Sequence, residues 1–439
     1  MTGHGCGGPR STPTDSRLAG LAEAYAGRRT LLGAAGGAGL VFSAAAGTAA
    51  AAPRRRTRKR AYVVVVDGCR PEEIDSGLTP NLRSLRDAGL RYGRATSLPV
   101  METIPNHTMM MTGRRPDRTG VPANSVYDRA LGEVRTLDRP RDLRGPTILE
   151  RLDRRGLRTA TVLSKEYLYG IFGTRATYRW EPGPVIPVAE YAPDEFTMAA
   201  AREMVTAHDP HLMFVNLGDV DRFAHSDLTG PSGLEVLRRT ALLNTDRLVG
   251  GFVDLLKETG RWEDSLLVVL ADHSMDYSTP DRVISLTAPI EADPFLAGRV
   301  AIGDNGGADL LYWLGPDRQR ERAVRRMRAI AQGTEGVLEA LDRRTRSLRL
   351  GPEAGDVVVY CRAGWRFSDP DPVTSNPIPG NHGHPATRPI PFFLSGGHPA
   401  VPRRTARPGL ATTADVAPTV GEFLGLPAPR GGYDGRSRL

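Results

Sequence analysis

The stretch with the most evident chemistry is residues 97–124, where a threonine precedes a proline and a run of methionines. Thr103 is followed two positions later by Pro105, and residues 109–111 are all Met. Proline is favoured at the first helical position because its missing N–H would have no partner there, so we expect a helix to begin near 104–106. Thr103 then lies at the helix N-terminus, where free N–H groups and the helix dipole favour an anion. A threonine in this place is either a plain helix cap or a nucleophile.

Four other segments carry Asp or His at the end of a predicted strand or in a turn. These residues are Asp67, Asp221 with His225, Asp272 with His273, and His382. Three carboxylates and three imidazoles favour Zn²⁺ or a similar transition metal over Mg²⁺. Six ligands divide into two three-ligand sites with open positions, and paired metals suit an in-line displacement at phosphorus. Each segment alone is more often structural, but together they predict a two-metal centre around the threonine.

Taken together, these motifs resemble the nucleotide pyrophosphatase/phosphodiesterase family of the alkaline phosphatase superfamily. Thr103-Ile-Pro-Asn-His107 followed by Thr112-Gly113 is similar to the Thr-Phe-Pro-Asn-His…Thr-Gly segment of that family. The other motifs occur in the family's order, and the resemblance covers roughly 61–275 and 380–439. It implies hydrolysis of a phosphodiester or nucleotide pyrophosphate through a covalent phosphothreonine, with a small-molecule phosphoester or nucleotide as substrate.

The resemblance also implies a role for each site residue. One metal site would consist of Asp221, His225 and His382. The other would consist of Asp67, Asp272, His273 and Thr103, the last of which is also the nucleophile. Asn124 matches the family's asparagine that contacts a phosphate oxygen. The implied cofactor is two Zn²⁺ ions, or another divalent transition metal in their place.

Two features leave the substrate open. Ile104 replaces the family's usual Phe, and Ala224 stands where Gly is common. Lys165 follows a predicted strand, in a segment that loosely resembles the lysine segment of phosphonoacetate hydrolases in the same superfamily. It either binds a second anionic substrate group or is a solvated surface lysine. The alternatives are therefore a phosphonate hydrolase, a phosphomonoesterase and a non-catalytic exported binding protein. The complete set of metal ligands argues against the binding protein.

The remaining His and Cys residues are expected to support the structure. We expect His107 and His384 to have supporting or structural roles. Cys69-Arg-Pro-Glu-Glu73 imitates the start of a sulfatase motif, but its fifth residue is Glu where that motif needs Arg. Cys69 and Cys361 are the only cysteines after the leader, which is too few for a disulfide framework in a chain of 439 residues.

The elements that must position the site alternate between strands and helices. Apolar runs at 62–66 and 265–270 predict strands buried on both faces, and further strands are expected over 159–163 and 211–216. Helices are expected over 79–88, 146–155, 193–207 and 232–258. This alternation predicts an α/β fold with a central, mostly parallel sheet and helices on both faces. The family resemblance makes that fold alkaline phosphatase-like. We assign 61–275 and 381–439 to the catalytic core and the Pro/Gly-rich stretch 276–380 to a smaller inserted subdomain. Within this subdomain we expect a basic amphipathic helix over 318–332 and two short strands, one of them over 356–360.

The basic excess of the chain lies at its N-terminus. Residues 1–60 contain 10 Lys+Arg and 2 Asp+Glu, whereas the remaining 379 residues contain 48 of each, so bulk charge does not support a nucleic-acid groove. Arg28-Arg29 precedes an uncharged, Ala/Gly-rich stretch that ends in a small-residue cleavage pattern. We predict a Tat-like export signal over 1–53, with a basic linker over 54–60.

The leader sets the expected location. A Tat-like signal predicts export across a bacterial cytoplasmic membrane to the cell envelope or the extracellular space. The alternative is that the leader stays uncleaved as an anchor, because its uncharged stretch is long enough to span a bilayer. No later segment is long and apolar enough, so we expect no membrane span in the mature chain. The sequence leaves the oligomeric state open.

Overall fold

A computed structural model describes residues 58–183, 191–230 and 234–439. The predicted export signal lies outside these residues. In the described ranges the strands are β1 (Arg60–Val66), β2 (Leu90–Thr96), β3 (Ser125–Asp128), β4 (Glu133–Thr136), β5 (Thr159–Leu163), β6 (Tyr178–Trp180), β7 (Leu212–Leu217), β8 (Ser265–Leu270), β9 (Asp276–Tyr277), β10 (Val283–Ile284), β11 (Val300–Asp304), β12 (Ala308–Trp313), β13 (Val337–Asp342), β14 (Val357–Cys361), β15 (Arg366–Phe367), β16 (Gly380–Asn381), β17 (Phe392–Ser395) and β18 (Thr405–Thr412). The helices are α1 (Pro80–Ala88), α2 (Thr103–Thr112), α3 (Pro116–Thr119), α4 (Ile148–Asp153), α5 (Glu166–Phe172), α6 (Asp194–His208), α7 (Asp219–His225), α8 (Val236–Glu258), α9 (Thr287–Glu291), α10 (Arg320–Gly333) and α11 (Val416–Leu424).

Eight strands form the central sheet, in the order β18-β2-β17-β8-β1-β7-β5-β6. Neighbouring strands pair in parallel except at β17, which runs antiparallel to both β8 and β2. Every residue of β5, β7 and β8 is buried, as expected for apolar strands covered on both faces. The prediction of an α/β fold with a large, mostly parallel sheet is confirmed.

One edge of this sheet was not predicted from the sequence. Strands β2 and β18 pair along their length, and the exposed positions of β2 include Arg91 and Arg94. β18 also contains Pro408 and Gly409, where the register shifts. An edge strand tolerates a proline because its outward N–H needs no partner, and its mixed polarity hides the strand pattern.

A smaller antiparallel sheet lies between residues 276 and 380, in the order β11-β12-β14-β13. Helix α10 contributes Ala323, Met327 and Ala331 to an apolar cluster shared with this sheet, and their four-residue spacing places them on one helix face. The sequence predicted this helix and two short strands, so the sheet is more extensive than expected. The boundaries of the inserted subdomain stay a prediction.

Strand direction determines where the predicted site residues meet. The carboxyl ends of β1, β5, β7 and β8 lie at one edge of the sheet, because these strands are parallel. β17 runs the opposite way, so the segment that leads into it reaches the same edge. In the described part of the chain, no helix combines the length and apolarity that a bilayer crossing requires.

Candidate metal centre and active site

Thr103 is the first residue of α2, and Glu102 occupies the cap position before it. The plain-cap alternative is therefore wrong, and the helix begins one residue earlier than expected. Pro105 is the third helical residue, which costs no hydrogen bond because N–H groups of the first turn have no partner within the helix. The Thr103 side chain is buried, and its hydroxyl lies 3.2 Å from His273 Nε2.

Asp272 is fully buried directly after β8, and its two oxygens have different environments. Oδ1 accepts hydrogen bonds from the backbone N–H groups of Gly68, at 3.2 Å, and His273, at 3.1 Å. In the described part of the chain Oδ2 has no hydrogen-bond partner, and it lies 3.4 Å from His273 Nε2. One oxygen is thus held by the protein, and the other is free beside an imidazole nitrogen.

Asp67 repeats this division at the end of β1. Its Oδ2 accepts a hydrogen bond from the side-chain amide of Asn216 and forms an ion pair with the Lys165 ammonium, each at 2.8 Å. Its Oδ1 is buried with no hydrogen-bond partner among the described residues and lies 3.6 Å from His273 Nε2. The free oxygens of Asp67 and Asp272 therefore face the same imidazole.

Asp221 shows the same division on α7, the helix that follows β7. Oδ2 accepts a hydrogen bond from Lys165 Nζ at 2.7 Å. Within the described ranges Oδ1 has no hydrogen-bond partner, and it lies 3.4 Å from His225 Nε2 and 3.9 Å from His382 Nε2. Asp221 and His225 meet because residues four apart share one helix face.

Each of the three imidazoles is oriented through its other ring nitrogen. Nδ1 faces a backbone carbonyl oxygen: His225 to Gly380 at 2.9 Å, His273 to Ser274 at 2.9 Å, and His382 to Met101 at 3.3 Å. Donation from Nδ1–H places the free lone pair on Nε2, which is the atom that faces the carboxylates. Metal-binding histidines are commonly oriented in this way.

The residues present therefore fit divalent metal ions. A buried carboxylate oxygen without a donor is costly, and here three such oxygens face imidazole nitrogens. Ligand atoms lie within 4.8 Å of one another in three groups: Asp221, His225 and His382; Asp67, Asp221 and His273; and Asp67, His107 and Asp272. The first group is one predicted site, and the other two together contain the Asp and His ligands of the second.

His107 joins the last of these groups, although both of its nitrogens already have partners. Nδ1 donates to the Thr103 carbonyl oxygen at 2.9 Å, and Nε2 accepts from the Asn216 amide at 3.1 Å. Burial lowers the pKa of His107 to about 4, so the ring is neutral. These contacts agree with the supporting role expected for it.

Asn216 is a site residue that the sequence analysis missed. Its amide nitrogen contacts both Asp67 and His107, and its carbonyl oxygen accepts from the Ser164 hydroxyl at 2.6 Å. The available signal was an amide near the carboxyl end of β7, whose other residues are all apolar.

Lys165 is fully buried in the site, so the alternative of a solvated surface lysine is wrong. Its ammonium contacts Asp67 and Asp221 and lies 3.5 Å from Thr103 Oγ1. The placement also differs from the predicted contact with a substrate anion, because the ammonium already has two carboxylate partners. Burial favours the neutral amine, but Asp221 and Asp67 outweigh it and raise the pKa of Lys165.

The carboxyl groups respond unequally to this surrounding charge. Burial and the neighbouring Asp272 raise the pKa of Asp67. For Asp221, burial acts in the same direction, but Lys165 and His225 outweigh it and lower the pKa well below its usual range. Burial, together with the adjacent His273, lowers the pKa of His382 well below its usual range, so this imidazole is neutral and able to bind a metal.

Asn124 lies beside the nucleophile helix and lines a cavity of about 400 Å³. Its carbonyl oxygen accepts from the Ile104 N–H at 2.8 Å, which leaves its amide N–H groups to meet a substrate oxygen. Its own backbone N–H donates to Glu102 at 2.7 Å. A larger groove of about 1100 Å³ runs along β2 and β17, and none of the predicted site residues is among the described residues that line it.

The cysteines carry no visible chemistry. Cys69 and Cys361 are both buried free thiols. Burial raises the pKa of each thiol well above its usual range, which keeps it protonated and unreactive.

Comparison with known proteins decides the family. The sequence profile described as type I phosphodiesterase/nucleotide pyrophosphatase matches residues 61–385, which is most of the chain. This chain belongs to that family. The resemblance stated from the motifs is thereby confirmed.

Similar curated proteins carry related names. Member 3 of the mouse (Mus musculus) ectonucleotide pyrophosphatase/phosphodiesterase family is 26% identical over 229 residues, which is 51% of this chain and 25% of that protein. A bovine (Bos taurus) bis(5'-adenosyl)-triphosphatase is 24% identical over 235 residues, covering 51% of this chain and 49% of that protein. The match therefore spans between a quarter and a half of the length of these two relatives.

Solved structures show the same fold. Murine ectonucleotide pyrophosphatase/phosphodiesterase 5, as an inactive threonine-to-alanine variant in complex with AMP, superposes with a TM-score of 0.70 at 19% identity, covering 84% of this chain and 96% of that one. The human protein of the same name gives a TM-score of 0.69 at 16% identity, covering 86% and 97%. The alkaline phosphatase-like fold prediction is thus confirmed.

Proposed function

We propose that this protein is a two-zinc phosphodiesterase or nucleotide pyrophosphatase that acts through a covalent phosphothreonine on Thr103. One observation carries the proposal. Three buried carboxylates each keep one oxygen free beside imidazole nitrogens, and the Thr103 hydroxyl lies 3.2 Å from one of these imidazoles. Family membership supports the class of reaction.

The roles of the ligands follow the two predicted groups. Asp221, His225 and His382 would hold one Zn²⁺, and Asp67, Asp272, His273 and Thr103 the other. Bound there, the ions would supply Lewis-acid chemistry that lowers the pKa of a hydroxyl and stabilises charge on phosphoryl oxygens.

The protein's own groups then act in sequence. The Thr103 oxygen, having lost its proton, attacks phosphorus as the bond to the leaving oxygen breaks, so that a phosphothreonine forms. The Asn124 amide and the free N–H groups of the α2 N-terminus stabilise charge on the equatorial oxygens. Water then attacks the same phosphorus, and the bond from phosphorus to the Thr103 oxygen breaks. A phosphodiester substrate is thus released as a phosphate monoester, a monoester substrate as phosphate, and the Thr103 hydroxyl is restored.

The substrate is a small phosphoester with a remote group that the cavity beside Asn124 accepts. Two relatives point to nucleotides, because one is named a bis(5'-adenosyl)-triphosphatase and another was solved with AMP.

We also propose export by the Tat-like leader. Changing both Arg28 and Arg29 to Lys should block translocation and leave the unprocessed chain inside the cell. A processed chain that still appears outside would contradict this route.

The test is a substrate panel on zinc-loaded and chelator-treated protein. The panel contains bis(p-nitrophenyl) phosphate, p-nitrophenyl phosphate, a dinucleoside polyphosphate and phosphonoacetate. We expect turnover of the diester or the dinucleotide, loss of that turnover on chelation, and recovery with Zn²⁺. Preferential turnover of phosphonoacetate or of the monoester would favour those alternatives. Metal binding without turnover of any compound would favour a binding protein, and full activity with metal shown to be absent would contradict the proposal.

A further inference from the structure

The ammonium of Lys165 lies between the two predicted metal sites. It contacts Asp221 Oδ2 at 2.7 Å and Asp67 Oδ2 at 2.8 Å, and each of these carboxylates belongs to a different site. The side chain has no exposed surface. Lys165 therefore contacts a predicted ligand of each metal.

The contacts use only one oxygen of each aspartate. In both residues Oδ2 faces the ammonium, and Oδ1 faces imidazole nitrogens without a hydrogen-bond partner of its own. A metal at Oδ1 and the ammonium at Oδ2 thus do not compete for the same atom. The lysine can stay in place when the metals are bound.

Electrostatics explains why a cation is needed there. The carboxylates of Asp67, Asp221 and Asp272 are all buried and lie close together. Burying a charge without a partner of opposite charge is costly. When the metals are absent, the Lys165 ammonium supplies a positive charge in contact with two of these carboxylates, Asp67 and Asp221. When the metals are present, they supply the compensation, and the ammonium then repels them.

We propose that Lys165 is a positioning residue that acts as the internal counter-cation of the metal centre. It allows Asp67 and Asp221 to stay buried in the metal-free protein, with their Oδ1 atoms already directed at the metal positions. This inference rests on the proposed two-metal function. A consequence is that the chain can fold with its site formed before it acquires metal, at the expense of some metal affinity.

The test compares Lys165→Met with the unchanged protein, with and without zinc. The Tm of metal-free Lys165→Met should fall by several degrees, because two buried carboxylates lose their counter-charge. The Tm of the zinc-loaded variant should fall less. Zinc affinity, measured by competition with a chelator, should rise by roughly tenfold or more because a repelling charge is removed. Asp67 keeps the Asn216 donor on Oδ2, so its orientation survives the change.

Arg438→Met is the matched control. Arg438 is also a buried cation paired with a buried carboxylate, Asp415, and it contacts none of the seven predicted ligands in the structure described here. It should lower the Tm of the metal-free and zinc-loaded proteins equally and leave zinc affinity unchanged. If Lys165→Met folds poorly, the double variant with Asp221→Asn, which removes one carboxylate together with the cation, should recover metal-free stability.

The outcomes separate three roles. Equal loss of Tm with and without zinc would reduce Lys165 to a structural ion pair, and weaker zinc binding would make it only a ligand-orienting group. Unchanged stability and zinc affinity with a raised KM would identify a substrate contact. Each of these results would contradict the proposal that Lys165 acts as a counter-cation. Zinc content of the unchanged protein is measured first, so that failure to bind two ions counts against the proposed function instead.

Discussion

Among the described residues, we compare two groups of three neighbouring aspartates, and only the first has its ligand atoms arranged as in a metal centre. The first consists of Asp67, Asp221 and Asp272. The second consists of Asp304, Asp309 and Asp369, in and beside the smaller sheet. The first group faces imidazole nitrogens with one free oxygen per residue. Within the described ranges, the second group is not among the clusters whose ligand atoms lie close enough to share an ion.

Two members of the second group, Asp304 and Asp369, accept hydrogen bonds from backbone N–H and hydroxyl groups instead. Asp304 accepts from the N–H groups of Gly306 and Asp369, one on each oxygen, at 2.8 and 3.0 Å. Asp369 accepts from Ser285, Thr287 and the Leu286 N–H.

Asp309 is the exception in this group. It is fully buried, and neither of its oxygens accepts from an N–H or hydroxyl group in the described part of the chain. Burial, with Asp304 and Asp369 nearby, raises its pKa well above the usual range. This raised pKa favours the protonated, uncharged form of Asp309.

The comparison teaches that acidic clustering alone does not identify a metal site. What distinguishes the first group is the pairing of a free carboxylate oxygen with an imidazole whose other nitrogen is held by a carbonyl. The first group should therefore control metal content and turnover. The second should control stability alone. The predictions below test that division, beginning with the largest effect.

Thr103→Ala should lower kcat by about three orders of magnitude or more, since it removes the nucleophile and leaves the metal ligands Asp and His in place. Thr103→Ser should keep part of the activity. Thr112→Ala, at the other end of the same helix, is the control, because its hydroxyl donates to the Thr108 carbonyl and accepts from the Arg114 N–H, and neither residue is a predicted metal ligand. Near-normal kcat in Thr103→Ala, measured on protein with two bound zinc ions, would remove the threonine from the mechanism.

Asp272→Ala and Asp369→Ala test the two groups against each other. Asp272→Ala should lose one bound metal and most activity, because it removes a metal ligand. Asp369→Ala should lose stability, since several donors lose their acceptor, yet retain two metals per chain. Elemental analysis and thermal melts on the same preparations give both answers. If Asp369→Ala lost metal and Asp272→Ala did not, the second group and not the first would be the metal centre.

Asn124→Ala should lower kcat by about a hundredfold with metal content unchanged, as is typical when one donor to a developing charge is removed. Asn305→Ala is the comparison. Asn305 lines the same cavity, but its side-chain amide is hydrogen-bonded to the backbone N–H and carbonyl of Ser125. The loss of kcat in Asn305→Ala should therefore be no more than a few-fold. Equal kcat losses in the two variants would show that Asn124 only supports the cavity wall.

Asp309→Asn should have the smallest effect on turnover and a distinctive effect on stability. The folded pKa of Asp309 is raised, so the folded chain binds more protons and stability falls as pH rises above the unfolded pKa of about 4. The Asn variant cannot ionise there, so it should gain stability relative to the unchanged protein with rising pH. Urea unfolding at pH 5, 7 and 9 measures this difference. A constant difference across this range would mean that Asp309 does not carry a raised pKa.

Much of the site could be read from the sequence because its ligands stand next to recognisable elements. The strands predicted at 159–163 and 265–270 coincide with β5 and β8, and β7 is shifted by only one residue from its prediction. Asp272 therefore appears at a strand end in both descriptions. The family's motif order, carried by segments such as the one that begins at Thr103, then allowed the whole ligand set to be named.

The sequence by itself determined which residue types surround the threonine, because strand ends, turns and the helix start are local features. The tertiary structure alone decided how those groups share their atoms. Lys165 reaches Asp221 across 56 residues, and Asn216 reaches Asp67 across 149. Such contacts depend on β1, β7 and β5 lying side by side, a strand order that follows from packing the whole sheet. Periodicity and composition describe only near neighbours, so they predicted a lysine near the site but not an ammonium buried between two of its carboxylates.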